Sequence, residues 1–345
     1  MIWLTYRQFR AQGAAVFGAL AVLGVVLAIT GPGLADDYGS GLASCTTESS
    51  CSRFARTFFN DHQVYYGAMI AIVMVLPALI GIFWGAPLIA RELESGTHRL
   101  AWNQSVTRTR WLAVKLGLVG LAAMVAAGLA VRAANWWSEP LDKAVADRFP
   151  RIEPLSFDAH GVVPIGHTAF AFALGVTAGV LTRRTLPAMA ITLAVFTVVQ
   201  VAMPLWIRPH VIPPETATVA ITSENLSQMT LDHDAKVMLV ETEAAPRSWT
   251  LTNHTVDASG TEARLPGSLV MGACAPAPPE AGREAPDGPP EKCFAEIARL
   301  GYKQKVVYQP ADRFWPLQLA ETGLFAVVSL GLSGLCFYWT RRRLS

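Results

Sequence analysis

Apolar residues along this 345-residue chain collect into six long runs that are separated by more polar segments. The hydrocarbon core of a bilayer is roughly 30 Å thick, and about 20 apolar residues in a helix cross it. Because the bilayer core offers no water to satisfy backbone N–H and C=O groups, each run is predicted to be a helix. The predicted spans are Ala14–Thr30, Tyr66–Ala90, Trp111–Ala134, Gly161–Thr182, Leu186–Ile207 and Phe314–Thr340.

The basic residues between the runs predict the orientation of these spans. Short cytoplasmic loops of membrane proteins carry an excess of Lys and Arg. Alternate segments of the chain are rich in arginine, and the segments between them carry fewer basic residues. The rich set holds Arg7, Arg10, Arg91, Arg99, Arg108, Arg110, Arg183, Arg184, Arg341, Arg342 and Arg343. With six spans, both termini are therefore predicted to be cytoplasmic.

Residues 1–12 mix aromatic and basic side chains ahead of the first apolar run. This pattern suits a short helix that lies in the cytoplasmic membrane interface. A plain continuation of the first span explains the pattern equally well. A cleaved signal peptide is not favoured, because no small-x-small cleavage site follows the apolar run.

Composition excludes an ordinary soluble protein. Charged residues make up 16% of the chain, whereas soluble domains average about 25%. The net charge is only +2 and the basic residues are scattered along the sequence, so no nucleic-acid partner is predicted. The sequence also contains no zinc-binding H-E-x-x-H motif and no G-x-x-x-x-G-K-[ST] phosphate loop. The chain is therefore not expected to be an enzyme by itself or to hold a cofactor or metal.

The chain divides into segments of different composition. Residues 13–209 hold the first five spans, and residues 313–345 hold the sixth span with a basic cytoplasmic tail. Between them, residues 210–312 contain short β-branched runs that are bounded by turn residues, which predicts a small, mostly β extracellular domain. The predicted fold class is thus a polytopic α-helical membrane protein with six spans and one small β domain.

Four of the five cysteines fall in segments predicted to lie outside the cell. Cys45 and Cys51 lie in the first outer segment, and Cys274 and Cys293 lie in the last one. Disulfides form on the oxidising side of a membrane. The sequence therefore predicts the pairs Cys45–Cys51 and Cys274–Cys293, with four free thiols as the alternative.

Polar side chains inside the spans are candidates for function because they are costly to bury in lipid. His167, Gln200, Gln318 and Glu321 lie at comparable depths in the fourth, fifth and sixth spans. One hypothesis is that they line a translocation path. The alternative is that they form hydrogen bonds with one another or with the outer domain.

A strongly polar elbow, residues 91–110, separates the second and third spans. Arg91, Glu92 and Glu94 end the second span, and Gly96 with Thr97 permits a sharp turn and caps a short helix. The next residues are predicted to form one or two amphipathic turns with apolar side chains available for docking.

The elbow sequence ARELESGTHRLAWNQSVTRTRWLAVK resembles the E-x-E-x-G-T … S-x-x-R … K segment of bacterial ATP-binding-cassette (ABC) permeases of the second exporter class. The segment YQPADRFWPLQLAETG also looks like the outer start of the last helix in an actinobacterial branch of these permeases. The resemblance implies six spans with both termini inside. It also implies that the elbow is a coupling helix that docks into a separate ATPase subunit. The contact residues that the resemblance implies are Arg91, Glu92, Glu94, Gly96, Thr97, His98, Arg99, Leu100, Trp102, Asn103, Gln104 and Arg108. The long outer segment between the fifth and sixth spans departs from the family pattern.

The predicted function is accordingly the permease subunit of an ATP-driven exporter in a bacterial plasma membrane. Its implied partners are two ATPase subunits that hold ATP and Mg, a second permease subunit of the same or another kind, and the lipid bilayer. The cargo is expected to be hydrophobic or amphipathic. Two alternatives are a membrane sensor or scaffold with a ligand-binding outer domain, and an intramembrane hydrolase that uses Ser333.

Overall fold

A computed structural model describes residues 2–97, 107–146, 149–231, 237–275 and 289–342 of the chain. The chain forms two compact units, of which one contains Met1–Val211 with Phe314–Ser345 and the other contains Ile212–Arg313. The helices are α1 Ile2–Ser44, α2 Glu48–Ile80, α3 Ala86–Glu94, α4 Arg108–Ala144, α5 Pro154–Ala159, α6 Val163–Thr182, α7 Thr185–Ala202, α8 Arg208–Val211, α9 Ser268–Met271, α10 Glu291–Arg299 and α11 Phe314–Arg342. The strands are β1 Glu215–Ala220, β2 Leu226–Leu231, β3 Val237–Thr242, β4 Trp249–Val256, β5 Leu265–Pro266 and β6 Lys303–Gln309.

The first unit is a helical bundle that confirms the six predicted spans. Among the described residues, six helical segments are long and apolar enough to cross a membrane. They are Thr5–Ser44, Glu48–Glu94, Arg108–Ala144, Val163–Thr182, Thr185–Val211 and Ala311–Arg342. The bundle end that carries Phe9, Trp84, Trp111 and Trp339 in one apolar core is called the terminal end below. The other end, with Tyr66 and Trp137 in its core, is called the opposite end.

The first helix is longer than the sequence predicted. Helix α1 continues from Ile2 to Ser44 without a break at residue 12, so the alternative of a continuous helix describes the structure. A location of residues 1–12 in a membrane interface stays a prediction. The first polar loop is also mostly helical, because α2 begins already at Glu48, where the Thr47 hydroxyl accepts a hydrogen bond from the Ser50 backbone N–H.

Helix α6 is the central helix of the bundle. In its most apolar window 78% of the residues are buried, compared with 11% in the first span and 17% in the sixth. The second, third, fifth and sixth spans contact α6, whereas α1 packs against α4 and α2. Helix α6 is also the shortest of the six described spans, at 20 residues.

Glycines allow the second span to approach α6 closely. A Cβ atom on Gly81 would lie 2.7 Å from the carbonyl oxygen of Ala171, and one on Gly179 would lie 2.6 Å from the carbonyl oxygen of Ala86. Such distances leave no room for a side chain. Small residues at helix crossings let backbones pack directly in membrane proteins. The contact fixes the second span against the centre of the bundle.

Two spans contain a π-helical turn. Gly81–Gly85 separates α2 from α3, and Met203–Ile207 separates α7 from α8. Pro77 lies four residues before the first turn and Pro204 lies inside the second, and proline cannot donate the regular helical hydrogen bond. A π turn inserts one residue and changes which side chains face inward. In the fifth span it precedes Arg208, which points into the bundle and is fully buried.

The second unit confirms the predicted β region. Two three-stranded sheets have the orders β1-β6-β4 and β2-β3-β5, and every pairing is antiparallel. Strand β1 is the first strand of this unit and β6 is the last, and the two are paired neighbours with Glu215 opposite Tyr308. The Arg313 guanidinium also donates to Glu215 at 2.7 Å. The two ends of this unit are therefore held together, as an insertion between two adjacent spans requires.

Both predicted disulfides are present. Cys45 pairs with Cys51 at a Cα–Cα distance of 5.2 Å, and Cys274 pairs with Cys293 at 4.4 Å. Cys274 and Cys293 are also buried in the apolar core of the second unit. Cys336 is a free, buried thiol in the sixth span.

Candidate coupling site and buried polar clusters

The base of the elbow is a sharp turn at the terminal end of the bundle. Helix α3 ends at Glu94, and Gly96 follows in a left-handed conformation with a φ of 73°. This conformation favours glycine because it has no Cβ. The Ser95 hydroxyl donates to the carbonyl oxygen of Arg91 at 2.8 Å and lies 3.0 Å from the Thr97 hydroxyl. The turn that the sequence predicted at these residues is therefore observed.

The far side of the elbow begins the third span. The Thr107 hydroxyl accepts a hydrogen bond from the Arg110 backbone N–H at 3.3 Å and so caps α4. Arg108 is the first residue of that helix. The remaining predicted contact residues lie outside the described residues, and their role stays a prediction. They are His98, Arg99, Leu100, Trp102, Asn103 and Gln104.

Glu92 joins the second span to the third. Its Oε1 accepts a hydrogen bond from Lys115 Nζ at 2.5 Å. The ammonium also lies 3.5 Å from the Leu88 carbonyl oxygen and 5.0 Å from the centre of the Trp111 ring. Lys115 is only 3% exposed. A carboxylate on the neighbouring span therefore neutralises the ammonium inside the bundle.

Glu94 joins the second span to the fifth. Its Oε2 accepts hydrogen bonds from the backbone N–H of Thr185 at 3.0 Å and from the Thr185 hydroxyl at 2.8 Å. Thr185 is the first residue of α7. The carboxylate thus satisfies a free N–H at the positive end of a helix dipole, where a negative charge is favourable.

The two carboxylates reach different neighbours because of their spacing. Residues two apart on an α-helix point roughly 200° away from each other. Glu92 therefore faces α4 while Glu94 faces the start of α7. The E-x-E pattern connects the base of the elbow to two other spans at once.

A cavity of about 540 Å³ opens beside this connection. Its wall combines Gln8 and Gln12 of α1 with Arg91, Glu92 and Lys115. The cavity places polar groups of the first three spans around one recess at the terminal end. This recess has the size of many ligand-binding or docking pockets.

The polar residues predicted within the spans come together at the opposite end. Glu321 accepts hydrogen bonds from Arg208, with Nε at 2.7 Å from Oε2 and Nη2 at 3.0 Å from Oε1. His167 Nε2 lies 3.3 Å from Glu321 Oε1. Arg208 Nη2 also donates to Asp158, whose other oxygen lies 3.5 Å from the Gln200 amide. The side chains of Asp158, His167, Arg208 and Glu321 are called the Arg208 cluster below.

The Arg208 cluster does not offer a free metal site. The possible ligand atoms of Asp158, His167 and Glu321 all lie within 4.8 Å of one another. However, the Arg208 guanidinium is bonded to both carboxylates and stacks 4.1 Å from the Phe157 ring centre. A metal cation would be repelled by this buried positive charge. The three side chains hold the guanidinium instead.

Gln318 binds the turn between α5 and α6. Its amide nitrogen donates to the carbonyl oxygens of Phe157 at 3.0 Å and His160 at 3.1 Å. Its amide oxygen accepts from the backbone N–H groups of Val162 and Val163, both at 2.9 Å. One buried amide therefore satisfies four backbone groups of a single turn.

A second polar cluster binds the same turn to the second and third spans. Asp142 Oδ1 accepts from the Tyr66 hydroxyl at 2.8 Å, and its Oδ2 lies 3.0 Å from His160 Nε2. Ser138 donates to Asp142 at 3.3 Å, and Arg151 lies 3.6 Å from the same carboxylate. The side chains of Tyr66, Ser138, Asp142, Arg151 and His160 are called the Asp142 cluster below.

Sequence reasoning missed Asp158 and Arg208, on which the Arg208 cluster depends. Arg208 lies one residue beyond the predicted fifth span, and Asp158 lies in a polar segment between spans. Both positions are ordinary for charged residues. The one available signal is that Arg208 follows an apolar run at the end predicted to be poor in arginine. The alternative of hydrogen bonds among the four predicted residues describes His167 and Glu321, whereas Gln200 bonds Asp158 and Gln318 bonds the turn between α5 and α6. A translocation role stays a proposal.

The bundle and the insertion between its last two spans define a multi-pass α-helical membrane protein. The sequence profile of the family described as ABC-2 membrane transporter related matches residues 17–208, more than half of the chain. The chain belongs to this family, and it is a membrane subunit of an ABC-type transporter that pairs with ATPase subunits. The family favours neither the sensor nor the hydrolase alternative. No curated protein and no solved structure matches the chain.

Proposed function

We propose that this chain is the permease subunit of an ATP-driven exporter and that the elbow, residues 91–110, receives the force generated by ATP hydrolysis. One observation carries the proposal. Glu92 and Glu94, at the base of the elbow, are bonded to Lys115 of the third span and to Thr185 of the fifth span. A displacement of the elbow therefore acts on three spans together.

The glycine contact extends this connection to the centre of the bundle. Helix α3 begins directly after the π turn Gly81–Gly85, and this turn packs without intervening side chains against α6. Close-packed helices shift as discrete bodies rather than deform continuously. Movement of α3 is thus passed to α6, which also contacts the third, fifth and sixth spans. Such a shift would change access to a path through the bundle.

The proposed topology has the terminal end in the cytoplasm. Arg7, Arg10, Arg91 and Arg183 lie at this end, in agreement with the excess of positive charge on cytoplasmic loops. Cys45–Cys51 belongs to the segment between the first two spans and Cys274–Cys293 to the segment between the last two, and disulfides persist where conditions are oxidising. The β unit is then extracellular, and the protein lies in the plasma membrane of a bacterium.

The proposed partners follow from the same family membership. Two ATPase subunits would hold ATP and Mg, and two permease chains, identical or different, would form the membrane part. The recess beside the elbow is lined by Gln8, Gln12 and Arg91, which offers polar contacts to a docking ATPase. The cargo is proposed to be hydrophobic or amphipathic because it must pass between apolar helices.

Co-purification of the full-length chain from its native membrane tests the partner. An ATPase with a phosphate loop supports the proposal, whereas recovery of a kinase or another regulator in its place would support the sensor. The complex reconstituted in lipid vesicles then tests coupling. Glu94→Arg removes the acceptor for Thr185 and places a positive charge at the start of α7, so permease-stimulated ATP hydrolysis is expected to be lost.

A matched control is Glu139→Arg. Glu139 is an exposed residue of α4, in an ion pair with Lys143 at 2.9 Å, and its replacement should leave stimulated hydrolysis unchanged. Membrane insertion of both variants is checked by their yield in the folded, monodisperse fraction. Normal stimulation in the folded Glu94→Arg complex would refute the role of Glu94 in coupling.

A further inference from the structure

The Arg208 cluster unites four ionisable groups from four different elements inside the bundle. Asp158 comes from α5, His167 from α6, Arg208 from α8 and Glu321 from α11, and none of them is more than 3% exposed. The neighbouring polar groups are the uncharged amides of Gln200 and Gln318. The spans that contain α2 and α4 bring Tyr66 and Asp142 to the same end. These two groups bond to each other, and Asp142 also bonds to His160 and lies near Arg151.

The charges of the Arg208 cluster do not balance unless it holds an additional proton. Asp158 and Glu321 each contribute one negative charge and Arg208 contributes one positive charge, which leaves one negative charge when His167 is neutral. An uncompensated charge in a buried site costs several kcal/mol. Ionisable groups in such sites take up or release a proton instead of bearing that cost.

The hydrogen bonds show where such a proton can reside. Both oxygens of Glu321 accept from Arg208, so Glu321 is held in its ionised form. An ionised carboxylate can only accept, and therefore His167 Nε2 carries hydrogen toward Glu321 Oε1. A second hydrogen on Nδ1 would make the ring an imidazolium. Asp158 is the other candidate, because among the described residues Arg208 donates only to its Oδ1 and its Oδ2 has only a 3.5 Å contact with the Gln200 amide. Burial also raises the pKa of this carboxyl against the opposing effect of the Arg208 guanidinium.

We propose that the Arg208 cluster is a proton-binding site that holds one proton in the closed bundle, distributed between His167 and Asp158. Interacting groups at this separation titrate as a unit, so the proton belongs to the cluster rather than to one residue. The bound proton makes the cluster neutral, and this neutrality keeps α5, α6, α8 and α11 together at the opposite end. Any movement that admits water to these side chains also releases the proton, because water stabilises the separate charges.

The pH dependence of thermal unfolding tests this proposal on the purified full-length protein in detergent, with no ATP and no cargo. The unfolded chain loses its histidine and carboxyl protons below about pH 7. If the folded protein retains one proton above that pH, stability falls as pH rises. The unfolding equilibrium then shifts by up to tenfold per pH unit, until the cluster itself loses its proton. The test is independent of the transport proposal, since it involves no transport step.

Two variants identify the cluster as the source of this fall. Glu321→Gln and Asp158→Asn each remove one negative charge, so the remaining guanidinium and carboxylate are neutral without a proton. In both variants the Tm is expected not to fall as the pH rises. Glu139→Gln removes an exposed carboxylate of α4 and should keep the profile of the natural protein.

Three results would overturn the proposal. One is a Tm of the natural protein that does not fall between about pH 7 and pH 9, the range above the free histidine value. Another is a decrease of Tm with rising pH that is as large in Glu321→Gln as in the natural protein. The third is a decrease that is as large in Asp158→Asn as in the natural protein. If one variant does not fold, the other variant and the natural profile still decide.

Discussion

Glu94 Oε2 accepts two hydrogen bonds from Thr185, one from its backbone N–H at 3.0 Å and one from its hydroxyl at 2.8 Å. The two residues are 91 positions apart in the sequence, at the end of α3 and the start of α7. This contact makes the carboxylate of the elbow part of the fifth span's first turn. The second glutamate of the E-x-E pattern therefore joins the base of the elbow to the start of α7.

Thr185→Val is expected to weaken this contact without removing it. The variant loses the hydroxyl donor and keeps the backbone N–H, so the Glu94 carboxylate keeps one of its two hydrogen bonds to Thr185. Permease-stimulated ATP hydrolysis should fall in the reconstituted complex. The control is Thr192→Val in the same helix, where the hydroxyl bonds only the Ala188 carbonyl oxygen of its own helix in the described contacts. Equal hydrolysis rates in the two variants would contradict the prediction.

Lys115→Met is expected to destabilise the bundle by about 3 kcal/mol, because it removes the cationic partner from an ion pair that lies mostly inside the bundle. Thermal unfolding in detergent measures the loss. The double exchange Glu92→Lys with Lys115→Glu restores opposite charges and should recover part of the stability.

The matching exposed pair is the control for this prediction. Glu139 and Lys143 are separated by one helical turn and are both more than half exposed in their side chains. Lys143→Met should therefore lower the free energy of unfolding by no more than about 0.5 kcal/mol. If Lys115→Met is as stable as Lys143→Met, the Glu92–Lys115 pair does not hold the second and third spans together.

Gly179→Ala is expected to destabilise the bundle by about 2 kcal/mol. The added Cβ would lie 2.6 Å from the Ala86 carbonyl oxygen and 3.3 Å from the Ala90 Cβ, and α3 would have to move away from α6. Gly117→Ala is the control, because its Cβ meets no atom within 4 Å. Since alanine favours a helix over glycine by up to about 1 kcal/mol, this variant should be at least as stable as the natural protein. A Tm for Gly179→Ala at or above that of Gly117→Ala would refute the close-contact argument.

Gln318→Glu tests the turn between α5 and α6. The carboxylate keeps acceptors for the Val162 and Val163 N–H groups but loses the two bonds to the Phe157 and His160 carbonyl oxygens. It also brings a third negative charge close to the Arg208 cluster. The free energy of unfolding is expected to fall by about 3 kcal/mol, because two buried carbonyl groups lose their hydrogen-bond donor. Gln200 is half-buried and has one described bond of 3.5 Å, so Gln200→Glu should lower the Tm less than Gln318→Glu does. The opposite order of the two Tm values would contradict the role of Gln318 in holding the turn.

Much of the fold could be predicted from local patterns. Six apolar runs of sufficient length predicted six spans because the bilayer sets one minimum length for every helix. The β-branched runs between Glu215 and Gln309 predicted strands, and the cysteine positions predicted both disulfide pairs. The turn at Gly96 was predictable as well, because a left-handed conformation has a specific residue preference.

The candidate site was predictable only in part. The E-x-E-x-G-T order located the elbow, but the partners of its glutamates, Lys115 and Thr185, are 23 and 91 residues away. Lys115 has the ordinary appearance of a charged residue near the end of a span. Only the packing of α3 against α4 shows that it is buried and paired.

The sequence by itself determined the number of spans, the arginine-rich ends, the β insertion and the position of the elbow, since each depends on residue type over a short stretch. The tertiary structure alone decided that α6 is central, that glycines of two distant segments touch, and that Asp158, His167, Arg208 and Glu321 form one cluster. Local patterns state which residues prefer a membrane or a turn. They do not state which helices are neighbours, and the neighbours determine which charges are neutralised.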